Sequence, residues 1–137
     1  MREVPSPRLE DTEADVDGVW PDPADRAFMA GLWEDYVKPR SQAVRESQGE
    51  GVYVLELLAV HPGYQRLGAG AALVTWGTMA ADELQVKAVV EGTPAGRRVY
   101  EKCGLRVEIE EMPFDLLQGF TDRAKPKLAF MTREPVP

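Results

Sequence analysis

The run VHPGYQRLGAG at residues 60–70 combines a Pro-Gly turn with a Gln-x-x-Gly-x-Gly spacing, and an apolar stretch follows it. The apolar residues before the run predict a strand that ends at Val60, and those after it predict a helix that begins at Gly68. The first turn of a helix leaves about four backbone N–H groups unpaired and carries partial positive charge. Because glycines leave the backbone uncovered, a phosphate group can reach these N–H groups. The pattern therefore predicts a site for a phosphate-containing ligand.

Other glycine-rich patterns also bind phosphate, and two of them can be compared directly with this run. A P-loop needs Gly-Lys-Ser/Thr at the end of its spacing, and this chain has no lysine there. A dinucleotide-binding loop needs a third glycine three residues after Gly70, where the chain has Leu73. These mismatches leave a third kind of anion-binding loop, or an ordinary glycine-containing turn before a helix.

A second block favours the ligand-binding alternative. The run EGTPAGRRVYEKCGL at residues 91–105 follows another predicted strand and contains a helix with Tyr100, stopped by Gly104. The V-x-P and Q-x-x-G-x-G motifs of the first run, followed by this second run, resemble the acetyl-CoA-binding segments of the GNAT N-acetyltransferase superfamily. One helix and one strand separate the two runs, as in that family, and the resemblance spans residues 52–133. Thr93 and Leu105 stand where many family members have Asn and Phe.

The resemblance implies a mixed α/β fold of the GNAT type and the transfer of an acetyl group from acetyl-CoA. The acceptor would be an amine of a small molecule or a protein, and transfer would be direct, within a ternary complex. A CoA-binding or partner-binding module derived from an acetyltransferase, without catalysis, is the alternative function. Backbone N–H groups of residues 65–71 would hold the CoA pyrophosphate, and backbone groups of residues 58–60 would pair with the pantetheine arm as an added strand. The implied cofactor-binding residues are Leu58, Ala59, Val60, Gln65, Arg66, Leu67, Gly68, Ala69, Gly70, Ala71, Thr93 and Lys102.

Three residues are candidates for catalysis. Tyr100 matches the general acid of the family, which protonates the departing CoA thiolate, and a phenol can donate a proton without being charged at neutral pH. Its alternative role is that of a core tyrosine on an apolar helix face. Glu56 and Glu91 are candidate bases that would take a proton from the acceptor amine, although water could serve instead. Each could equally be an outward-facing carboxylate at a strand.

The predicted elements place these residues in one domain, residues 25–137. Apolar periodicity predicts a helix at residues 25–38 that ends or kinks before Pro39, and a short helix at 41–48. Strands are expected at 52–60, 85–91, 105–109 and 127–132, with helices at 68–82 and 95–103 and a long loop at 112–126. The nearly all-apolar strand at 52–60 is typical of a strand covered on both faces.

The first strands of the family have no counterpart before residue 52, so we expect a shortened N-terminal half. The strand at 52–60 would then lie at a sheet edge, and an exposed edge is a template for pairing with another chain. We therefore expect either self-association through this edge or a partner that supplies strands. Residues 1–24 are acidic and rich in proline, which predicts a disordered arm.

The composition of the chain narrows the partners, metal sites and cellular locations that we expect. The 137 residues carry a net charge of −7, most of it in the first 25 residues, which hold eight acidic residues and two arginines. The remainder is nearly neutral, so we expect no nucleic-acid partner and no membrane association. A single histidine, His61, and a single cysteine, Cys103, predict neither a metal site nor an internal disulfide. No signal-like or membrane-spanning segment is evident, so we expect a cytoplasmic protein, with the nucleus left open.

Overall fold

A computed structural model describes residues 16–137, and the chain divides into two compact units. Of the described residues, 16–42 and Pro113–Pro126 form one unit, and Ala43–Met112 and Lys127–Pro137 form the other. The first fifteen residues of the predicted acidic arm lie outside the described part, and the arm stays a prediction. Helix α1 covers Val16–Val19, and helix α2 covers Pro23–Glu46.

Helix α2 continues through Pro39 to Glu46, so the predicted end of the helix before Pro39 was wrong, while the predicted kink stays a prediction. A proline inside a helix removes one backbone hydrogen bond, and local contacts can offset that loss. Here the Asp35 carboxylate, one turn before the proline, pairs with Lys38 Nζ at 2.7 Å. The same carboxylate accepts a hydrogen bond at 2.9 Å from the backbone N–H of Leu116, in the short 3₁₀ helix Asp115–Leu117. These bonds hold the turn that the proline would otherwise loosen.

The second unit contains a four-stranded mixed sheet with the order β1-β2-β4-β3. The strands are β1 (Val52–Val54), β2 (Lys87–Gly92), β3 (Arg106–Ile109) and β4 (Ala129–Arg133). β1 and β2 are parallel, whereas β4 is antiparallel to both of its neighbours. Helix α3 (Ala69–Leu84) connects β1 to β2, and helix α4 (Pro94–Lys102) connects β2 to β3. The predicted mixed α/β fold is confirmed, and within residues 16–51 no strand precedes β1.

The core of this unit lies where the two helices meet the sheet. Its buried cluster is formed by one residue of α3, one of α4, the residue just before β3, and three from the two central strands: Val74, Tyr100, Leu105, Val90, Ala129 and Met131. Leu55, Leu58 and Cys103 pack against this cluster. The cluster therefore joins the segment after β1 to both helices that carry candidate site residues.

β1 is much shorter than the strand predicted at residues 52–60. Its pairing with β2 ends with Val54 opposite Val89, followed by one further hydrogen bond at 3.0 Å from Leu55 N to the Val89 carbonyl. β2 continues along its other edge as far as Gly92. The apolar run predicted coverage on both faces, but Leu57 is 88 % exposed. An apolar pattern indicates which residues avoid water but not which backbone groups pair. It could therefore not predict where the pairing of β1 with β2 ends.

Candidate functional site

The chain leaves the sheet after Leu55, and β1 and β2 separate there. Among the described residues, the backbone N–H groups of residues 57–60 make no hydrogen bond. Leu58 is half-buried against the core cluster, whereas Ala59 is exposed. An extended segment with unpaired donors can receive a ligand in the manner of an added strand. The resemblance implied pairing of this segment with the pantetheine arm, and that role stays a prediction.

The N-terminus of α3 has no cap from the protein itself. Its N-cap residue is Gly68, and no side chain bonds to the first turn. Within the described chain, the backbone N–H groups of residues 65–71 have no hydrogen-bond partner, and the first bond of the helix runs from Ala72 N to Gly68 O at 3.0 Å. These donors lie at the positive end of a 16-residue helix, where an anion can bind, and the predicted role of the loop in cofactor binding stays a prediction.

The backbone of this loop contains two residues with a positive φ. Arg66 has a φ of 64° and Gly68 a φ of 89°, so two left-handed residues flank Leu67. Alternation of left-handed and ordinary residues turns successive N–H groups inward and makes an anion-binding nest. A left-handed φ at a non-glycine residue is a strained conformation that is often found at functional sites. The Arg66 side chain is exposed beside these donors.

Two hydrogen bonds hold the loop that leads into the helix. Gln65 Nε2 donates to the Val60 carbonyl at 3.0 Å. His61 Nδ1 accepts from Gly63 N at 3.0 Å and caps the 3₁₀ helix Pro62–Tyr64. His61 is an exposed turn residue, as expected from the sequence. The loop is therefore tied to the end of the separated segment by the first residue of the Gln-x-x-Gly-x-Gly motif.

Helix α4 is capped differently. Thr93 Oγ1 accepts a hydrogen bond from Gly96 N at 3.1 Å, and Pro94 occupies the first turn. The side chain of Thr93 thus serves as an N-cap, which satisfies a donor that α3 leaves open. Lys102, in the last turn of α4, is exposed. Roles for Thr93 and Lys102 in cofactor binding stay predictions.

Tyr100 lies on α4 with its ring in the core cluster and is 7 % exposed. Its hydroxyl makes no hydrogen bond within residues 16–137, and no side-chain polar atom there is both fully buried and unpartnered. The hydroxyl therefore keeps contact with solvent. Burial of the residue raises the pKa of the Tyr100 hydroxyl above its usual value of 10.0. The phenol is protonated at neutral pH and available to donate.

Two glycines make room for the Tyr100 ring. A Cβ on Gly96 would lie 2.9 Å from Tyr100 Cε2, and one on Gly92 would lie 3.2 Å from Tyr100 Cδ2. Sequence analysis did not single out either glycine. The spacing of Gly96 and Tyr100 by four residues is the signal that could have done so, because residues i and i+4 are neighbours on a helix.

Replacement of Gly96 by Ala should destabilise the protein, although alanine favours helix formation over glycine. The new methyl group would force the Tyr100 ring to shift, and overpacking of this kind costs roughly 1–3 kcal/mol. Gly119→Ala is the matched control, because a Cβ there meets no atom within 4 Å. Thermal denaturation measures both variants. A higher melting temperature for Gly96→Ala than for the wild type would contradict the close packing.

The two candidate bases have different surroundings. Glu56 is exposed and lies just beyond the last bond between β1 and β2. Glu91 is 8 % exposed and lies in β2 opposite Phe130 of β4. The surroundings of Glu56 and Glu91 do not distinguish a catalytic base from a structural carboxylate, so both catalytic assignments stay predictions.

A groove of about 460 Å³ runs along the segment after β1. Residues 53–59 form one wall, and α3 forms the other with Leu73, Val74, Trp76, Gly77 and Thr78. Glu56 is the one charged residue in its lining, and Tyr100 is not part of the lining. Trp76, one of the apolar residues of α3, is 69 % exposed.

Other kinds of site receive no support from the described chain. Within residues 16–137 there is no group of His, Cys, Asp or Glu side chains arranged to hold a metal ion. No helix in that part of the chain is both long enough and apolar enough to cross a bilayer. Cys103 is half-buried against the core cluster, as expected for a small core residue.

Comparison with known proteins was made at the level of sequence and of structure. The family model of the acetyltransferase (GNAT) family matches residues 11–105, which extends the likeness upstream of the segment on which the two motifs lie. A search of curated proteins gave no match. A solved structure described as a "putative N-acetyltransferase from Lactobacillus plantarum" is 20% identical, with a TM-score of 0.48 over 62% of this chain. The chain spans about half of that structure, 53% of its length. Because the family model covers well over half of the sequence, the chain belongs to the GNAT family of acetyltransferases.

Proposed function

We propose that this protein transfers an acetyl group from acetyl-CoA to an amine, by direct transfer in a ternary complex. Family membership supports acyl transfer in general terms. The observation that carries the specific proposal is the uncapped start of α3, where residues 65–71 offer unpaired N–H groups next to a segment that has left the sheet. A pyrophosphate and an amide-containing arm are the two ligand parts that such neighbouring features bind.

The residues present fit this ligand. A Cβ on Gly68 would meet no atom within 4 Å and one on Gly70 would meet only Val60 Cγ2 at 3.9 Å, so the approach to the first turn is open. Backbone N–H groups of residues 65–71 would hold the pyrophosphate, and Arg66 could add a charge-assisted contact. Backbone groups of residues 58–60 would hold the pantetheine arm, and an N–H near Val60 would stabilise negative charge on the thioester oxygen.

The acceptor amine attacks the thioester carbonyl carbon, so that a C–N bond forms and the C–S bond breaks. Tyr100 donates its phenolic proton to the departing sulfur. The amine loses its extra proton to Glu56, Glu91 or water. Tyr100 suits this role because its phenol is protonated at neutral pH and its hydroxyl still reaches solvent.

Calorimetric titration with acetyl-CoA is the first test of this proposal. We expect saturable binding to the wild-type protein. A thiol-release assay with a panel of small amines and amine-bearing peptides then tests transfer. Absence of binding at millimolar acetyl-CoA would refute both the enzyme and any CoA-binding role.

The second candidate function is a CoA-binding module that does not catalyse transfer. The observation that favours it is the absence of any strand before β1 in residues 16–51, because the family's early strands help to shape the acceptor site. Binding of acetyl-CoA with no thiol release across the amine panel would select this function over the first.

A further inference from the structure

A second pocket, of about 360 Å³, lies on the side of β2 that faces β4 rather than β1. The end of β2, the start of β4, the first turns of α4 and the two residues that follow β3 line it, and all of them belong to the second unit. Among the described residues, none lines both this pocket and the groove beside β1. Its volume lies in the range of roughly 300–1,000 Å³ that is typical of sites for small molecules.

Four charged side chains line this pocket in the described chain, and two of them neutralise each other. Arg97 of α4 donates from Nη1 and Nη2 to the two carboxylate oxygens of Glu110, the second of these bonds at 3.2 Å. Arg97 Nε donates to Glu101 Oε1 at 3.0 Å. The Arg97 guanidinium holds the pKa of the Glu110 carboxyl below its usual value. Arg97 and Glu110 therefore offer little uncompensated charge to a ligand.

The other two charged side chains, Glu111 and Lys127, are exposed. Within residues 16–137 neither side chain takes part in a hydrogen bond or an ion pair, so they do not pair with each other. A simple anion in the pocket would be attracted by Lys127 and repelled by Glu111, and a simple cation would meet the reverse. A ligand that carries one positive and one negative group can satisfy both side chains.

The remaining lining is apolar or without a side-chain charge. Pro94 and Leu128 present hydrocarbon surface to the pocket, and Leu128 is half-buried. Ala129 and Gly92 lie behind them and are buried. The ligand that fits this lining therefore has a short apolar part beside its two charges.

We propose that this pocket binds a small α-amino acid with an aliphatic side chain. The Glu111 carboxylate would accept hydrogen bonds from the ammonium group of the amino acid, and Lys127 Nζ would donate to its carboxylate. Pro94 and Leu128 would contact its side chain. This inference does not depend on acetyl transfer.

Leucine and two of its derivatives test each half of the proposal on the full-length protein. At neutral pH leucine carries both charges, leucinamide keeps only the ammonium group, and N-acetylleucine keeps only the carboxylate. We expect calorimetry to show saturable binding of leucine and about fivefold weaker binding of each derivative, which is the size expected for the loss of one exposed ion pair. Added salt should weaken the binding of leucine, because it screens both contacts.

Two variants assign the charged ends of the ligand to individual residues. Glu111→Gln should weaken leucine and leucinamide about fivefold and leave N-acetylleucine unchanged. Lys127→Met should weaken leucine and N-acetylleucine by a similar factor and leave leucinamide unchanged. Lys125→Met is the matched control, because Lys125 is also exposed but is not part of the pocket lining. Thermal denaturation checks that each variant is folded.

Absence of saturable binding at tens of millimolar leucine would overturn the proposal. So would equal affinities for leucine, leucinamide and N-acetylleucine. If Glu111→Gln and Lys127→Met lowered the melting temperature but left the affinity for leucine unchanged, the two residues would stabilise the fold and would not bind the amino acid. Weaker binding of leucine to Lys125→Met, by the same factor as to Lys127→Met, would likewise contradict the assignment to this pocket.

Discussion

Replacement of Tyr100 by Phe should leave acetyl-CoA affinity unchanged and reduce turnover by roughly 10²–10⁴-fold, the usual effect of losing a general acid. The ring packs in the core cluster and against Gly92 and Gly96, and Phe preserves that packing. Because the hydroxyl makes no hydrogen bond within the described chain, its removal leaves no partner unpaired. Thiol release under saturating acetyl-CoA, with calorimetry in parallel, separates the two effects.

The pH profile gives an independent check on the same residue. Burial raises the pKa of the Tyr100 hydroxyl, so the acid stays protonated up to at least about pH 10. Loss of turnover between pH 7 and 9 would have to come from another group. If Tyr100→Phe turned over at the wild-type rate, Tyr100 would be a core residue and the thiolate would take its proton from water.

Acetyl-CoA should stabilise the wild-type protein against unfolding, and Gly70→Glu should abolish this effect. A ligand that binds only the native state adds about 2.7 kcal/mol to the free energy of unfolding at a hundredfold excess over Kd. Glutamate at position 70 would place a side chain and a negative charge in the path of the pyrophosphate, beside the unpaired N–H groups of residues 65–71. Thermal denaturation with and without millimolar acetyl-CoA measures the effect.

Gly70→Ala is the matched control for this experiment. Its Cβ would meet only Val60 Cγ2 at 3.9 Å, an ordinary contact, so the fold should tolerate it. We expect Gly70→Ala to retain at least part of the ligand-induced stabilisation. A wild-type melting temperature that does not respond to acetyl-CoA would refute the assignment of the loop. Full stabilisation of Gly70→Glu by acetyl-CoA would show that the pyrophosphate does not bind at this helix.

Local signals were enough to predict most elements of the second unit. The helix predicted at residues 68–82 is Ala69–Leu84, and the one predicted at 95–103 is Pro94–Lys102. Gly68 precedes α3, and Pro94 and Gly104 bound α4, and such residues set helix boundaries through their own backbone geometry; the end of α3 at the left-handed Gln85 has no signal of this kind. The loop before α3 was predictable for the same reason, because its glycines and the following apolar periodicity lie within a few residues of each other, whereas its binding of an anion stays a prediction.

Features that depend on distant contacts were not predictable from the sequence. The end of β1 pairing at Val54 depends on where β2 lies, and nothing in the apolar run 55–60 reports it. Helix α2 continues through Pro39, and one turn earlier the Asp35 carboxylate accepts two hydrogen bonds, one of them from the backbone of the distant Leu116. The exposure of Trp76 depends on the sheet ending at β1, so a residue typical of a core lies on a groove wall.

If acetyl-CoA binds as proposed, the uncapped start of α3 would make the ligand a structural component of the helix. Glycine at an N-cap costs only a few tenths of a kcal/mol relative to Ser or Thr, but Gly68, with its left-handed backbone, has no side chain to bond the open N–H groups of the first turn. Without acetyl-CoA the first turn should fray, and hydrogen exchange at residues 69–72 should be fast while the Thr93-capped start of α4 stays protected. Bound pyrophosphate would complete the helix, so ligand binding would extend ordered structure by one turn rather than fill a rigid cleft. A site of this kind lowers the stability of the ligand-free protein. Substitutions that stabilise the free loop would therefore weaken its affinity for acetyl-CoA.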